Sequence, residues 1–275
     1  MPDPLRFKVG LPLAIWVDQG IRLAGAGIGG LTGTRSLAQV ARNFVASHRP
    51  PDPASIMLKQ LRLLLNCTTS MSLIDLKISA TEEPLPKDVE SLLTDALSRI
   101  ERLIELQRDD PIFAYVPSDF VEVYRGLDQI QALNLATGQR FVEWGSGVGV
   151  TACLASMLDF DSVGIEIEPS LVEASRQLAA DHELTVEFVE GSFVPTGAEW
   201  LVGQQNDLMW LRDDGIAAYD MLGLDPDDFD LVFVYPWPGE EQIVFDLFDH
   251  CGAAGSLLLT SHGENGLRLQ RKVLR

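Results

Sequence analysis

The chain is poor in the residues that build metal and redox centres. Its 275 residues include three cysteines (Cys67, Cys153, Cys251) and four histidines (His48, His182, His250, His262), all far apart in sequence. Neither set has a zinc-ligand spacing or forms a disulfide framework, so no metal is expected and a cytoplasmic compartment is the default expectation. Long hydrophobic runs are lacking too. The longest near the start, Val9 to Val17, is too short to span a bilayer, and the residues before it do not read as a signal peptide, so no membrane role is expected. There is no internal repeat. Lysine is absent between Lys87 and Lys272. Residues 1–110 carry 13 basic and 13 acidic side chains, whereas residues 111–275 carry 8 and 27, so the net charge of −19 arises wholly in the second part. Such a surface repels phosphate backbones. Duplex nucleic acid is therefore a poor partner, and a small molecule or a basic protein a better one.

What is present divides at about residue 110. Residues 1–110 read as a helical N-terminal region and residues 111–275 as a second domain. Ser36 can cap a helix with Leu37, Val40, Ala41, Phe44 and Val45 on one face, and a second helix is expected over Ala54 to Leu65. Glu82–Pro86 reads as a linker. A helix from Asp88 to Gln107 then carries a one-sided stripe of Val89, Leu92, Leu93, Ala96, Ile100, Leu103 and Ile104. That stripe is expected to pack on a neighbouring element, with a dimer seam as the alternative, so the oligomeric state stays open.

From Gln139 short apolar runs alternate with helical segments. Strands are expected at Phe141–Glu143, Ser162–Glu166, Thr185–Val189, Leu231–Tyr235 and Ser256–Thr260, and helices at Thr151–Leu158, Pro169–Asp181 and Glu240–Cys251. This alternation predicts an α/β fold with a doubly wound, mostly parallel sheet. Leu267–Leu274 can add one more strand, which leaves six or seven strands, or an open edge covered by the N-terminal region. Ligands in such sheets bind at the carboxyl ends of the strands, which points to Glu143, Glu166, Ser192 and Tyr235–Pro238.

Two glycine-rich loops compete for a nucleotide. Gly25-Ala26-Gly27-Ile28-Gly29-Gly30 fits G-x-G-x-x-G by letter. Its lead-in is short, and no second strand ending in a carboxylate follows about 20 residues later, so a flavin or nicotinamide site there is the weaker reading. Gly145-Ser146-Gly147-Val148-Gly149 follows a strand and precedes a helix, and Glu166 ends the next strand. The spacing is G-x-G-x-G. Its glycines allow close backbone approach to a ligand and leave amides at the helix start, and Glu166 can hold both hydroxyls of a ribose.

Phe141-Val142-Glu143-Trp144-Gly145-Ser146-Gly147-Val148-Gly149 resembles the first motif of class I S-adenosylmethionine-dependent methyltransferases, and Val163-Gly164-Ile165-Glu166-Ile167-Glu168-Pro169 resembles their second. The resemblance covers about residues 112–262 and implies a Rossmann-like fold with S-adenosylmethionine as cofactor. It further implies that Glu143 helps to hold the methionine amino group, that the loop of Gly145, Ser146, Gly147 and Gly149 lines the methionine and ribose, that Glu166 binds the ribose hydroxyls, and that Ile167 packs on the adenine. The family often has Gly-Asp after the third strand; here the pair is Gly191-Ser192, so Ser192 would serve the adenine amino group, with Phe193 against the ring. Tyr115-Val116-Pro117-Ser118, upstream of the first motif, is similar to the loop that closes over the cofactor in seven-strand protein lysine methyltransferases, which adds Tyr115 to the cofactor residues.

Methyl transfer is an in-line displacement that needs alignment and desolvation of the acceptor, without a metal or covalent nucleophile. The run Tyr235-Pro236-Trp237-Pro238 after the fourth strand resembles, in part, the Asn-Pro-Pro-aromatic motif of amino-group methyltransferases, and Tyr235 and Trp237 become the candidate catalytic residues. Aromatic faces there can stabilise a cation. From Asp207 to Asp230 there are eight aspartates and one arginine, Arg212, which reads first as a solvated face and alternatively as a lid or insertion that recruits a basic acceptor such as a protein lysine. The expectation is transfer to an N or O acceptor; a non-catalytic cofactor-binding interaction protein is the alternative.

Overall fold

Apolar side chains alternate between the two faces of short strands, and both faces are covered. The computed structural model describes residues 71–78, 83–106, 118–202, 217–237 and 239–274, all within the unit Arg62–Arg275. The strands in chain order are β1 (Met71–Leu76), β2 (Arg140–Trp144), β3 (Asp161–Glu166), β4 (Val186–Glu190), β5 (Leu231–Val234), β6 (Leu257–Ser261) and β7 (Leu267–Leu274). They form one seven-stranded sheet in the order β1-β7-β6-β5-β2-β3-β4. From β4 to β6 every neighbouring pair is parallel. β7 is antiparallel to both β6 and β1, so β1 runs with the parallel set. This is a Rossmann-like, doubly wound sheet. Its order reverses between β2 and β5, and the crevice at the carboxyl ends of those strands is where such sheets take ligands.

The helices are α1 (Lys87–Leu106), α2 (Phe120–Ala132), α3 (Val150–Met157), α4 (Pro169–Asp181), α5 (Glu199–Val202), α6 (Ala218–Leu222) and α7 (Glu241–Cys251). On one face Phe141, Leu231, Phe233, Leu257 and Leu259 pack with residues of α1, α2, α3 and α4. On the other face Val142, Trp144, Val232, Val234 and Leu258 pack with Tyr219 of α6 and with Ile243, Val244, Leu247 and Phe248 of α7. The period-2 switch within each run is what produces the two layers, and burial on both sides explains why the runs carry so few polar residues. As expected, the α1 stripe packs into a core: Val89, Leu92, Leu93, Ala96 and Ile100 are buried.

Sequence reasoning missed α2, although the signal was present. Asp119 caps it, accepting from the Val121 and Glu122 amides, and Phe120, Val123, Tyr124, Leu127 and Ile130 form its buried face. It also missed β1. Met71–Leu76 lies in the stretch read as helical, yet pairs residue by residue with β7, from Met71 opposite Leu274 to Leu76 opposite Leu269. The reason is non-local: β7 offers a free antiparallel edge, and the partner that fills it stands almost 200 residues earlier. The seventh strand therefore comes from the segment before residue 110, and α1 from that same segment shares the core. Residues 36–45 and 54–65, where two further helices were expected, lie outside the described residues.

Two polar devices fix the sheet at the amino ends of its strands, opposite the crevice. Asp230, just before β5, accepts from Thr137 Oγ1 at 2.7 Å and from the Arg140 amide at 3.1 Å, tying the start of β5 to the start of β2. Lys272 on β7 is buried, and its Nζ donates to the Asp249 carbonyl and, at 2.7 Å, to the Gly252 carbonyl. It thereby closes the carboxyl end of α7, where helix carbonyls lack partners and the helix dipole favours a cation.

Candidate functional site

The turn from β2 into α3 requires glycine. Gly145, Gly147 and Gly149 have φ of +68°, +54° and +72°, the left-handed region that glycine enters without steric cost. A side-chain carbon at Gly149 would meet the Phe188 ring at 2.4 Å, so this glycine serves packing as well as the turn. One at Gly145 would meet nothing within 4 Å. The loop is thus pressed against the sheet at one end and faces open space at the other.

Two buried carboxyl groups hold this loop. Glu143, on β2, is 5% exposed and accepts from the Ala152 amide at 2.8 Å, which satisfies a donor in the first turn of α3. Burial pushes its carboxyl up to about 8, against the Ala152 amide and the Thr151 hydroxyl, while the charge of Glu166 adds to the rise. Glu166, at the end of β3, is 9% exposed. One of its oxygens accepts from the Gly147 amide at 2.8 Å; the other accepts from Ile167 at 2.8 Å and Glu168 at 2.9 Å. Burial raises its pKa too, opposed by these three amides. A carboxylate has about four acceptor positions, so three amides orient it and leave capacity for a hydroxyl donor.

The remaining cofactor candidates surround these groups. Ser146 is buried; its hydroxyl lies 2.9 Å from where a side chain at Gly164 would begin, so it turns toward β3. Ile167 is half-buried beside Glu166. Ser192, buried, accepts from the Val194 amide through Oγ, and its carbonyl accepts from Ala218 at 3.0 Å. Phe193 stacks on Trp144 with centroids 5.2 Å apart and planes 5° off parallel. Trp144 donates from Nε1 to the Tyr219 hydroxyl at 2.7 Å, within the buried layer. Sequence reasoning missed this Phe193–Trp144–Tyr219 chain, which links the glycine loop to the β4 end and to α6. Tyr115 lies outside the described residues.

At the carboxyl end of β5, Tyr235 and Trp237 are half-buried and Pro236 is buried; Pro238 lies outside the described residues. The Trp237 carbonyl accepts from the Glu240 amide at 2.9 Å, so the segment turns directly into α7. Several aspartates of the acidic run have structural partners: Asp220 with Thr196, Asp228 with the Asp225 amide, and Asp230 as described above. Residues 203–216, with Asp207, Asp213 and Asp214, lie outside the described residues. No helix among the described residues is long and apolar enough to cross a membrane.

No protein-family model and no curated protein matches the chain. Solved structures do resemble it. An RNA methyltransferase from Salinibacter ruber, in complex with S-adenosyl-L-homocysteine, is 18% identical over 58% of this chain and 93% of its own, with a TM-score of 0.38. A methyltransferase from Geobacter sulfurreducens is 16% identical over 70% of this chain and 93% of its own, with a TM-score of 0.41. A tRNA (uracil-54, C5)-methyltransferase from Pyrococcus abyssi, in complex with S-adenosyl-L-homocysteine, is 13% identical over 57% of this chain and 38% of its own, with a TM-score of 0.34. At such scores these likenesses lend no weight to an activity, which has to be read from the site itself.

Proposed function

We propose that the protein is an S-adenosylmethionine-dependent methyltransferase acting on an N or O acceptor, with a basic acceptor such as a protein lysine favoured over other classes. The observation that carries the reading is the pairing of Glu166 with the glycine loop at the point where the strand order reverses: a buried, amide-oriented carboxylate beneath a loop whose first glycine faces open space. When bound, the cofactor supplies a methyl group already activated on a sulfonium. Glu166 would accept from a ribose hydroxyl through its remaining acceptor position. Glu143 would face the methionine ammonium, and it ionises readily once a cation is beside it. Ile167, Ser192 and Phe193 would bound the adenine. Tyr235 and Trp237 would orient the acceptor and exclude water. The acidic excess in residues 111–275 favours a cationic acceptor on approach.

The test is transfer of labelled methyl from the cofactor to fractionated protein and small-molecule pools. Label appearing on lysine in a protein fraction, with KM raised by neutralising Asp213, Asp214 and Asp227, supports the reading. Tight cofactor binding with no label on any fraction contradicts catalysis and favours an interaction protein that only binds the cofactor.

A further inference from the structure

The carboxyl end of β6 carries a histidine that the site as described leaves unused. β5 and β6 are parallel with Val234 opposite Thr260, so Tyr235 and His262 leave the sheet at adjacent strand ends. The Tyr235 hydroxyl lies 3.4 Å from the point where a side chain at Gly263 would begin, so the phenol reaches across to the residue after His262. His262 is half-buried, and its Nε2 lies 2.8 Å from Thr260 Oγ1, which in turn lies 3.4 Å from the Arg268 carbonyl. When the Thr260 hydroxyl donates to that carbonyl, it accepts from Nε2–H, and Nδ1 is then the basic ring nitrogen. The charged groups that face the ring are Glu241, at the start of α7, and Arg268, on β7. Burial and Arg268 lower the imidazole's pKa while Glu241 opposes them, so the ring is mainly neutral at pH 7. The other described histidines stand elsewhere: His182 pairs with Asp95, and His250 meets the Trp200 ring edge-on.

We propose that His262 accepts the proton that the methyl acceptor gives up, and that the acceptor is therefore an amine or hydroxyl that arrives with its proton rather than a carbon or a thiolate. The proposal rests on the methyltransferase reading. In the balanced step the acceptor's N–H or O–H proton passes to the imidazole, the electron pair it leaves on nitrogen or oxygen forms the bond to the methyl carbon, and the electron pair of the broken carbon–sulfur bond stays on sulfur. Thr260 and Glu241 act as positioning residues, one fixing the tautomer and the other stabilising the imidazolium.

The test does not need the acceptor. The His262 imidazole is titrated by NMR in complex with S-adenosylhomocysteine, which is neutral at sulfur, and with sinefungin, whose ammonium group stands where the sulfonium methyl stands. His262→Gln assigns the signal; if that variant does not fold, the other three histidines are assigned by substitution and His262 by elimination. A ring facing the reacting centre titrates about half a pH unit or more lower with sinefungin, because a cation within several ångströms disfavours the imidazolium. Equal midpoints in two complexes that calorimetry shows to be saturated overturn the proposal and leave the cofactor reading intact. Failure of both ligands to bind folded protein overturns the cofactor reading, and the proposal with it.

Discussion

The two ends of the sheet are built by different means. At β2 and β3 the glycine loop and the two carboxyl groups that hold it lie within 30 residues: a strand, three left-handed glycines, a helix, a second strand and a closing glutamate. At β7 and β1 the sheet is completed by two segments almost 200 residues apart, joined by backbone pairing and an Asp75–Arg268 ion pair at 2.8 Å. The first end concentrates buried charge and glycines with positive φ, which cost stability. The second holds paired backbone and a lysine-capped helix, which supply it. The contrast puts the glycine loop and its two buried carboxyl groups at the locally encoded end and leaves the other end to close the sheet.

The sharpest way to break the contrast is at Gly149. Alanine there must adopt φ near +72° and displace the Phe188 ring, so Gly149→Ala should lose about 3 kcal/mol or more and abolish a cooperative melt near the wild-type temperature. A melt within 2 °C of wild type would mean that the loop is not pressed against β4 as described. Next is Lys272→Ala, at the other end, which strands the Asp249 and Gly252 carbonyls. Chemical denaturation should find about 2–4 kcal/mol lost, while affinity for S-adenosylhomocysteine, measured on the folded fraction, stays unchanged. A large loss of affinity would show that the two ends are not separable.

Glu143 gives a pH signature confined to the crevice. Its carboxyl is raised from an ordinary 4.5 to about 8 in the fold. The folded state thus holds a proton that the unfolded chain has already released. The contribution of this group to stability is full below about pH 4.5, falls by up to about 1.4 kcal/mol per pH unit as pH rises toward 8, and is flat above that. Denaturation midpoints across that range should slope less in Glu143→Gln than in wild type, and parallel profiles would contradict the assignment. Cofactor binding at pH 7 should likewise release close to one proton (about 0.9), seen as a dependence of calorimetric heat on buffer ionisation. The smallest effect belongs to the exposed edge: Arg268→Ala should cost at most about 1 kcal/mol, and less at high salt, because the pair with Asp75 is solvent-screened.

The same contrast decides what could be read beforehand. The strands from β2 to β6 fell within about one residue of their expected bounds, because burial on both faces leaves an apolar run between turn residues in β2, β5 and β6, and the short apolar stretches of β3 and β4 lie between helical segments. Leu267–Leu274 was legible from its alternation. β1 was not, because Met71–Leu76 is half exposed and is a strand only by virtue of its partner. α2 could have been found from Asp119 and the spacing of Phe120, Val123, Tyr124, Leu127 and Ile130. The glycine turn after β2 was legible because positive φ demands glycine at fixed positions, and Glu143 and Glu166 stand on the two strands that flank it. The Phe193–Trp144–Tyr219 chain and the position of His262 beside Tyr235 were not, since each depends on which strand ends the topology makes neighbours.

The central claim is that the β2–β3 end binds S-adenosylmethionine through Glu166. Calorimetric titration of S-adenosylhomocysteine into wild type and Glu166→Ala, both checked for a cooperative melt, tests it directly. The account predicts micromolar binding by wild type, weakened at least about tenfold in the variant by the loss of a charge-assisted hydrogen bond, about 1.4 kcal/mol or more. No binding by folded wild type, or equal binding by both proteins, would contradict it.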